Sequence, residues 1–205
     1  ENNDIVASNV LLTTAGSSFD VYIDKKFFGH FALSFYGKHM IQNVLAVISI
    51  CDYLGFSFQQ IEKHIKIFEG AKRRFKETII GDIVTIDDYA HHPTEVRVTI
   101  EAAKQKYPNK KIIAIFKPNT YSRTKELASN FVKALQTADK AYITDIYCDR
   151  EKPEDFPGIT SNLMIDNLDN AEHISIDTVA KLLKHKNAVL LFMSCKDIGT
   201  LKKAY

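Results

Sequence analysis

The sequence predicts an α/β protein with a Rossmann-like, mostly parallel sheet and flanking helices, preceded by a smaller antiparallel region. Between residues 79 and 193, apolar segments typical of strands alternate with amphipathic segments typical of helices. Such alternation favours parallel strands joined by crossover helices. Between residues 5 and 35 the apolar residues instead alternate one by one, with turn residues at 15–17 and 24–26. That pattern indicates an antiparallel meander of three strands.

The individual elements follow from the same patterns. Apolar residues at helical spacing predict a first helix that begins after Gly37 and ends before Gly55, and a second helix at about 58–68. Strands of the larger sheet are predicted at about 79–87, 111–116, 140–144, 173–176 and 188–193. Its helices are predicted at about 93–107, 123–137, 178–185 and 197–204. Open sheets of this kind bind ligands outside the carboxyl ends of their strands, so functional residues are expected directly after the strands.

Composition and charge exclude several classes of protein. Of 205 residues, 45% are hydrophobic and 25% are charged, which is typical of a globular protein. The formal net charge of +2 is too small to indicate a nucleic acid or an anionic membrane as partner. The longest apolar runs, 44–48 and 188–193, are far shorter than the roughly 20 residues that cross a bilayer.

The cysteines and the first residue bear on location and completeness. Cys51, Cys148 and Cys195 are widely spaced and form no C-x-x-C pair, which favours a reducing cytoplasm over a disulfide scaffold or a zinc site. Residue 1 is Glu rather than Met, and no signal peptide is visible. We therefore expect a cytoplasmic protein and a fragment of a longer chain.

One chemically rich segment follows the strand predicted at 79–87. It reads Asp87-Asp88-Tyr89-Ala90-His91-His92-Pro93-Thr94-Glu95. Pro93 suits a first helical turn, and Glu95 in that turn favours the helix dipole. Carboxylates, a phenol and imidazoles at a strand-to-helix junction could bind a metal or a nucleotide. The alternative is a capped turn in which His92 is the N-cap and the acids are solvated, since adjacent histidines rarely both reach one metal.

A second segment, Lys117 to Thr124, follows the strand predicted at 111–116. Arg123 stands there at the start of a helix, where the dipole disfavours a cation unless an anion is bound. The alternative is a solvent-exposed Arg near Glu126.

Two further groups could serve a nucleotide. His39 and Asn43 share a helix face, where Asn could read a purine edge or complete a polar helix end. The basic cluster at 72–76 could clamp phosphates through Arg or be a solvated charge run. No G-x-x-x-x-G-K-[ST] phosphate loop occurs in the 205 residues.

These segments stand in a characteristic order along the chain. They are Gly37-x-His39-x-x-x-Asn43, then Lys72-Arg73-Arg74-Phe75, then the run from Asp87 to Glu95, then Thr120-Tyr121-Ser122-Arg123-Thr124, and finally Asp145-Ile146-Tyr147 with Arg150-Glu151-Lys152-Pro153. The order resembles the alanine-adding branch of the Mur ligase family over essentially the whole chain. The resemblance implies an ADP-forming ligase of peptidoglycan synthesis that uses ATP and Mg²⁺ to join L-alanine to UDP-N-acetylmuramate through an acyl phosphate.

The resemblance also implies a domain organisation. Residues 1–70 would be the C-terminal part of the central ATP-binding domain, with antiparallel strands and helices, and residues 71–205 the complete C-terminal Rossmann-like domain. The phosphate loop, the metal-binding residues and the UDP-sugar domain would all lie upstream. We therefore expect that the fragment holds no metal of its own, binds small molecules rather than nucleic acid or membrane, and is inactive alone.

Residue roles are implied in the same way. ATP would be bound by His39 and Asn43 at the adenine, Arg74 at the phosphates and Asp88 at the ribose. L-Alanine would be bound by His91 and Arg123, with Tyr89 lining the pocket, and no catalytic residue is assigned. Two alternatives remain open: a recycling ligase that attaches a whole peptide to the same sugar, and a non-catalytic nucleotide-binding module. Ser194-Cys195-Lys196, which replaces a Gly-Ala-Gly stretch of the family, keeps the latter open.

Overall fold

The computed structural model describes residues 4–68, 70–71, 73–196, 198 and 201. The chain divides into two compact units, each with its own sheet. One unit comprises Glu1–Ala71 with Gln105–Pro108, and the other comprises Lys72–Lys104 with Asn109–Tyr205. None of the described helices is both long enough and apolar enough to cross a membrane.

The first unit contains the expected antiparallel meander. Its strands are β1 (Ile5–Thr13), β2 (Gly16–Ile23) and β3 (Lys26–Leu33), in the order β1-β2-β3. Two helices follow, α1 (Lys38–Tyr53) and α2 (Phe58–Ile67). Alternate residues of the strands and one stripe of each helix form a common core with Phe19, Val21, Phe31, Ile41, Ile48 and Ile61. Period-2 and helical apolar spacing therefore account for this unit.

The second unit is built on a six-stranded sheet in the order β4-β5-β9-β6-β7-β8. The strands are β4 (Lys76–Ile80), β5 (Ile83–Asp88), β6 (Lys111–Phe116), β7 (Lys140–Ile143), β8 (Ala171–His173) and β9 (Ala188–Met193). Only the β4–β5 pair is antiparallel among the described pairings. β6 and β9 are almost entirely buried, as expected for central parallel strands that are covered on both faces.

Helices follow the strands of this sheet. They are α3 (Pro93–Lys106), α4 (Tyr121–Leu135) and the short α5 (Asn162–Ile165), with 3₁₀ turns at Pro153–Asp155 and Ile176–Lys184. The mixed α/β fold with a mostly parallel sheet and flanking helices is therefore confirmed. α3 follows β5 and α4 follows β6, so both helices begin at the carboxyl edge of the sheet.

The strand predicted at 79–87 is wrong in one respect. The chain forms an antiparallel hairpin there, β4 with β5, in which Ile80 pairs with Ile83. Gly81 has a φ of 60° and Asp82 follows it, so a two-residue turn interrupts the apolar run. Gly at the first turn position is the usual signal for such a hairpin.

Other element bounds differ from the prediction. The helix expected at 178–185 is a 3₁₀ turn over Ile176–Lys184, with bonds from each amide to the carbonyl three residues before it, as in His185 to Leu182. The strand expected at 173–176 lies at Ala171–His173. The helix expected at 197–204 falls mostly outside the described residues.

Candidate functional site

Three adjacent strands of the second unit end side by side. Met193 of β9 pairs with Asp88 of β5 on one side and with Phe116 of β6 on the other. The segments that follow these strands therefore emerge at one edge of the sheet. This edge carries four of the second-unit residues that the sequence indicates: Asp88 at the end of β5, and Tyr89, His91 and Arg123 in the segments that follow the strands.

Asp88 is buried, with 6% of its surface exposed. Its Oδ2 accepts a hydrogen bond from the Phe75 amide at 2.8 Å. Its Oδ1 accepts from the Ala90 amide at 2.8 Å and from the Thr99 hydroxyl at 3.4 Å. Burial raises the pKa of this carboxyl, although the two amide donors oppose that shift. Asp88 thus ties the chain before β4 to the loop after β5, a structural role that the sequence analysis did not foresee.

Glu95 in the first turn of α3 connects the groups around it. Its Oε2 accepts from the amides of His91 at 3.0 Å and His92 at 3.1 Å, while Arg74 lies 3.8 Å from Oε1. Desolvation would raise the pKa of Glu95, but the two amides and the nearby charges of His91 and Arg74 outweigh it and lower the pKa. Glu95 was noticed in the sequence only for the helix dipole.

The ring of His91 is oriented by its neighbours. Nδ1 lies 3.0 Å from the Tyr89 carbonyl oxygen and 3.2 Å from Glu95 Oε2. Because both of these oxygens accept hydrogen bonds, Nδ1 carries a proton, which leaves Nε2 as the acceptor whenever the ring is neutral. His92 acts as the N-cap of α3, since its Nδ1 accepts from the Thr94 amide at 3.3 Å. The structure therefore contains both the capped turn predicted at His92 and a cluster of polar groups around His91.

Two arginines lie over the ring of Tyr89. The guanidinium carbons of Arg73 and Arg74 are 5.2 and 5.4 Å from the ring centroid. Arg73 also donates to the carbonyl oxygens of Ser194 at 2.8 Å, Lys196 at 3.1 Å and Cys195 at 3.5 Å. The stretch that departs from the Gly-Ala-Gly pattern of the family is therefore held by Arg73.

Arg123 is the third residue of α4. Thr120 caps this helix and accepts from the Arg123 amide at 3.4 Å. The Nη1 atom of Arg123 is buried and has no hydrogen-bond partner in the part of the chain that the structure describes. Leaving a buried charged donor unpaired costs free energy, so the geometry favours an anion at this atom.

Arg123 also acts on the neighbouring strand end. Burial raises the pKa of the Cys195 thiol, and the charge of Arg123 opposes that shift. The Arg123 guanidinium therefore lies close enough to Cys195 to interact electrostatically with its thiol.

His39 and Asn43 lie on α1 of the first unit, four residues apart. His39 is half-buried, whereas Asn43 is exposed, with its amide nitrogen 3.8 Å from the Met40 sulfur. The shared helix face is as expected. The adenine contacts assigned to them remain a prediction.

Among the described residues, no three His, Cys, Asp or Glu side chains are arranged to hold a metal ion.

The family match covers most of the second unit. Residues 73–195 match the family described as "Mur ligase, glutamate ligase domain", and the chain belongs to the Mur ligase family. The resemblance stated from the motifs is confirmed.

Individual relatives extend the comparison to the whole chain. It is 43% identical over 206 residues to the UDP-N-acetylmuramate–L-alanine ligases of Lactobacillus gasseri and Lactobacillus johnsonii, covering 100% of this chain and 46% of each relative. The crystal structure of the UDP-N-acetylmuramate–alanine ligase of Thermotoga maritima superposes with a TM-score of 0.81 at 27% identity, covering 100% of this chain and 45% of that one. The chain thus spans about half the length of the curated relatives it matches.

Proposed function

We propose that this chain is part of an ADP-forming, cytoplasmic ligase that joins L-alanine to UDP-N-acetylmuramate at the expense of ATP in peptidoglycan synthesis. The observation that carries the proposal is the buried, unpartnered Nη1 of Arg123 at the carboxyl edge of the sheet. The similarity to two alanine ligases over the whole chain supports the same reading.

Arg123 is the proposed binding group for the alanine carboxylate. A guanidinium can meet a carboxylate with two parallel hydrogen bonds, which fixes both position and orientation. Most of the polar binding of so small an amino acid must come through this group. Tyr89 is proposed to line the pocket for the remainder of the molecule.

His91 is the proposed partner of the alanine amine. The amine attacks the acyl phosphate only in its neutral form, and a neutral imidazole with Nδ1 protonated presents Nε2 as an acceptor for an N–H of that amine. Tyr89 and Glu95 hold the ring in this tautomer. This part of the protein thus contributes mainly by placing the nucleophile.

The proposed ATP contacts involve Arg74, Asp88, His39 and Asn43. The Arg74 guanidinium is half-exposed, so it is available to a phosphate. Asp88 has both oxygens engaged, but a carboxylate offers about four acceptor positions, so a ribose hydroxyl can still be accommodated. His39 and Asn43 are proposed to contact the adenine.

The domain assignment is also proposed. Residues 1–70 are the C-terminal part of the central ATP-binding domain, and residues 71–205 are the C-terminal domain. Mg²⁺ neutralises phosphate charge when it is bound, and its ligands, like the phosphate loop, are assigned to sequence outside these 205 residues.

Measuring ADP release tests the proposal. A full-length ligase carrying this chain should release ADP only when both UDP-N-acetylmuramate and L-alanine are present. The 205-residue chain alone should release none, because it lacks the loop that aligns the γ-phosphate with the acceptor carboxylate. A preference for a peptide over alanine would indicate the recycling ligase instead. Nucleotide binding without ADP release by the full-length protein would indicate a non-catalytic module.

A further inference from the structure

The first turn of α4 is closed by a carboxylate from a distant part of the chain. Oε2 of Glu151 accepts from the amides of Tyr121 at 2.6 Å and Ser122 at 3.1 Å, across a separation of 30 residues for Tyr121. Oε1 accepts from the Ser122 hydroxyl. The first amides of a helix have no partner within the helix, so Glu151 supplies what the helix itself cannot.

Glu151 lies in the segment 147–156, which we call the clasp. The clasp contacts the region around the start of α4 on both sides of Glu151. Tyr147 donates its amide to the Pro118 carbonyl at 3.0 Å and accepts from the Thr120 amide at 3.1 Å. At the other end, the rings of Phe156 and Tyr121 stack with centroids 5.8 Å apart.

A cysteine shapes the clasp next to Glu151. The Cys148 sulfur accepts from the amides of Arg150 at 3.4 Å and Glu151 at 3.1 Å. The carboxylate is therefore delivered from an ordered turn.

The charge of Glu151 also matters at this helix end. The Ser122 hydroxyl and the two amides lower the pKa of Glu151 below its usual range, so the group is ionised at neutral pH. The Arg123 amide is already bonded to Thr120. The first three amides of α4 are thus all engaged, and Nη1 of Arg123 is a buried donor with no hydrogen-bond partner among the described residues.

We propose that Glu151 is a positioning residue for Arg123. Its carboxylate fixes the first turn of α4, and with it the origin of the Arg123 side chain. It also occupies the helix amides that would otherwise compete for the substrate carboxylate. Glu151 makes the guanidinium the single anchoring point for that carboxylate. The role of the substrate rests on the function proposed above, whereas the contact to α4 does not.

Steady-state kinetics of the full-length ligase provide the first test. Glu151→Ala should raise the KM for L-alanine about 10-fold, because the turn that carries Arg123 is no longer fixed, and leave the KM for ATP within about 2-fold. Glu151→Gln keeps one accepting oxygen and should lose less. Glu154→Ala, an exposed change in the same clasp, should have no effect on either KM. Equal increases in both KM values for Glu151→Ala and Glu151→Gln would overturn the proposal.

Chemical rescue separates positioning from a general loss of structure. In Glu151→Ala, added formate can enter the vacated position beside the Tyr121 and Ser122 amides. Formate should therefore lower the alanine KM of this variant, while it leaves the wild type and Glu154→Ala unchanged or weakly inhibited. If added formate raises the alanine KM of Glu151→Ala instead of lowering it, the proposal is contradicted.

Nuclear magnetic resonance of the 205-residue chain tests the contact without any ligase activity. The Arg123 Nε–Hε resonance, assigned with Arg123→Lys, should move in both Glu151 variants and not in Glu154→Ala. Formate should shift the Tyr121 and Ser122 amides in Glu151→Ala alone. If the full-length wild type shows no alanine-dependent ADP release, the proposed function fails. The positioning role of Glu151 is then judged by the Arg123 resonance alone. An unchanged chemical shift in the Glu151 variants refutes that role.

Discussion

The two strand-to-helix junctions at the carboxyl edge of the large sheet differ in the origin of the carboxylate that binds backbone amides at the start of the helix. At the β5–α3 junction, Glu95 reaches back to the amides of His91 and His92 from within the first turn of its own helix. At the β6–α4 junction, the corresponding carboxylate is Glu151, which comes from 30 residues further along the chain. One helix end is completed locally, and the other depends on tertiary structure.

The difference changes what each junction can bind. Glu95 orients side chains at the first junction: its Oε2 lies 3.2 Å from His91 Nδ1, and its Oε1 lies 3.8 Å from the half-exposed Arg74 guanidinium. Glu151 instead binds the amides and the hydroxyl of the second junction, and Arg123 keeps a buried nitrogen that has no acceptor within the described part of the chain. The carboxylate of the first junction therefore orients side chains, whereas the carboxylate of the second leaves a buried guanidinium nitrogen for an incoming anion.

The largest effect is expected at Asp88, which supports the first junction. Asp88→Ala removes the carboxylate that accepts hydrogen bonds from the Phe75 and Ala90 amides, so the free energy of unfolding should fall by about 1 to 3 kcal/mol in urea titrations. If Asp88 also binds the ribose, the KM for ATP should rise by an amount equivalent to roughly 1.5 to 3 kcal/mol, and more than the KM for alanine. Restoration of full activity by added Mg²⁺ would indicate a metal ligand instead.

Arg123 tests the second junction directly. Arg123→Ala removes the guanidinium and its buried Nη1, and the KM for L-alanine should rise about 10- to 100-fold while the KM for ATP stays within a few-fold. Arg123→Lys restores a charge without the paired geometry and should recover only part of the loss. Steady-state kinetics check this prediction. An unchanged alanine KM for Arg123→Ala would show that the residue is structural and that the second junction does not bind the alanine carboxylate.

A smaller effect is expected when the local cap of α3 is removed. Glu95→Ala frees the His91 and His92 amides and should lower the free energy of unfolding by about 1 kcal/mol. The same change should raise the alanine KM if the tautomer of His91 matters, because Nδ1 loses one of its two oxygen neighbours. Glu101→Ala, an exposed change further along α3, is the matched control in thermal unfolding. Equal destabilisation by the two changes would show that Glu95 is not a cap.

The contrast between the junctions also explains what the sequence could predict. Pro93 and Glu95 stand within one turn of each other, and this local pattern places the start of α3 correctly. Nothing around Arg123 points to Glu151, because the pairing depends on how β7 and the clasp return to α4. The sequence marks Asp88 as a ligand-binding residue, but its bond to Phe75 forms only when β4 folds back on β5, and its bond to Thr99 forms only when α3 packs against the sheet.

The missed hairpin shows the limit of apolar patterning. Ile79, Ile80, Ile83 and Val84 look like one continuous strand, since β-branched residues flank the turn on both sides. Gly81 was the available signal for a turn. The long, buried runs of β6 and β9 were located closely because central parallel strands tolerate few polar residues.

The smallest effect is expected at Glu172, whose ion pairs lie outside both junctions. Its contribution to the free energy of unfolding is a reference for the carboxylates of the two junctions. Lys140 at 2.5 Å and Lys181 at 3.2 Å lower the pKa of Glu172 from 4.5 to about 2. A folded-state pKa below the unfolded value stabilises the protein above about pH 4.5, and this contribution is lost as the pH falls towards 2. Because the groups are partly exposed, Glu172→Gln should cost only about 0.2 to 1 kcal/mol at pH 7.

Urea titrations at several pH values and salt concentrations check this prediction. The difference between the wild type and Glu172→Gln should shrink below about pH 4.5, and it should also shrink in 1 M salt, where the screening length falls to about 3 Å. The cap at Glu95, which bonds to backbone amides rather than to a mobile cation, should keep more of its effect in the same salt. If salt removed both effects equally, the carboxylate at the first junction would act through charge alone. The distinction between a local cap and a surface ion pair would then be lost.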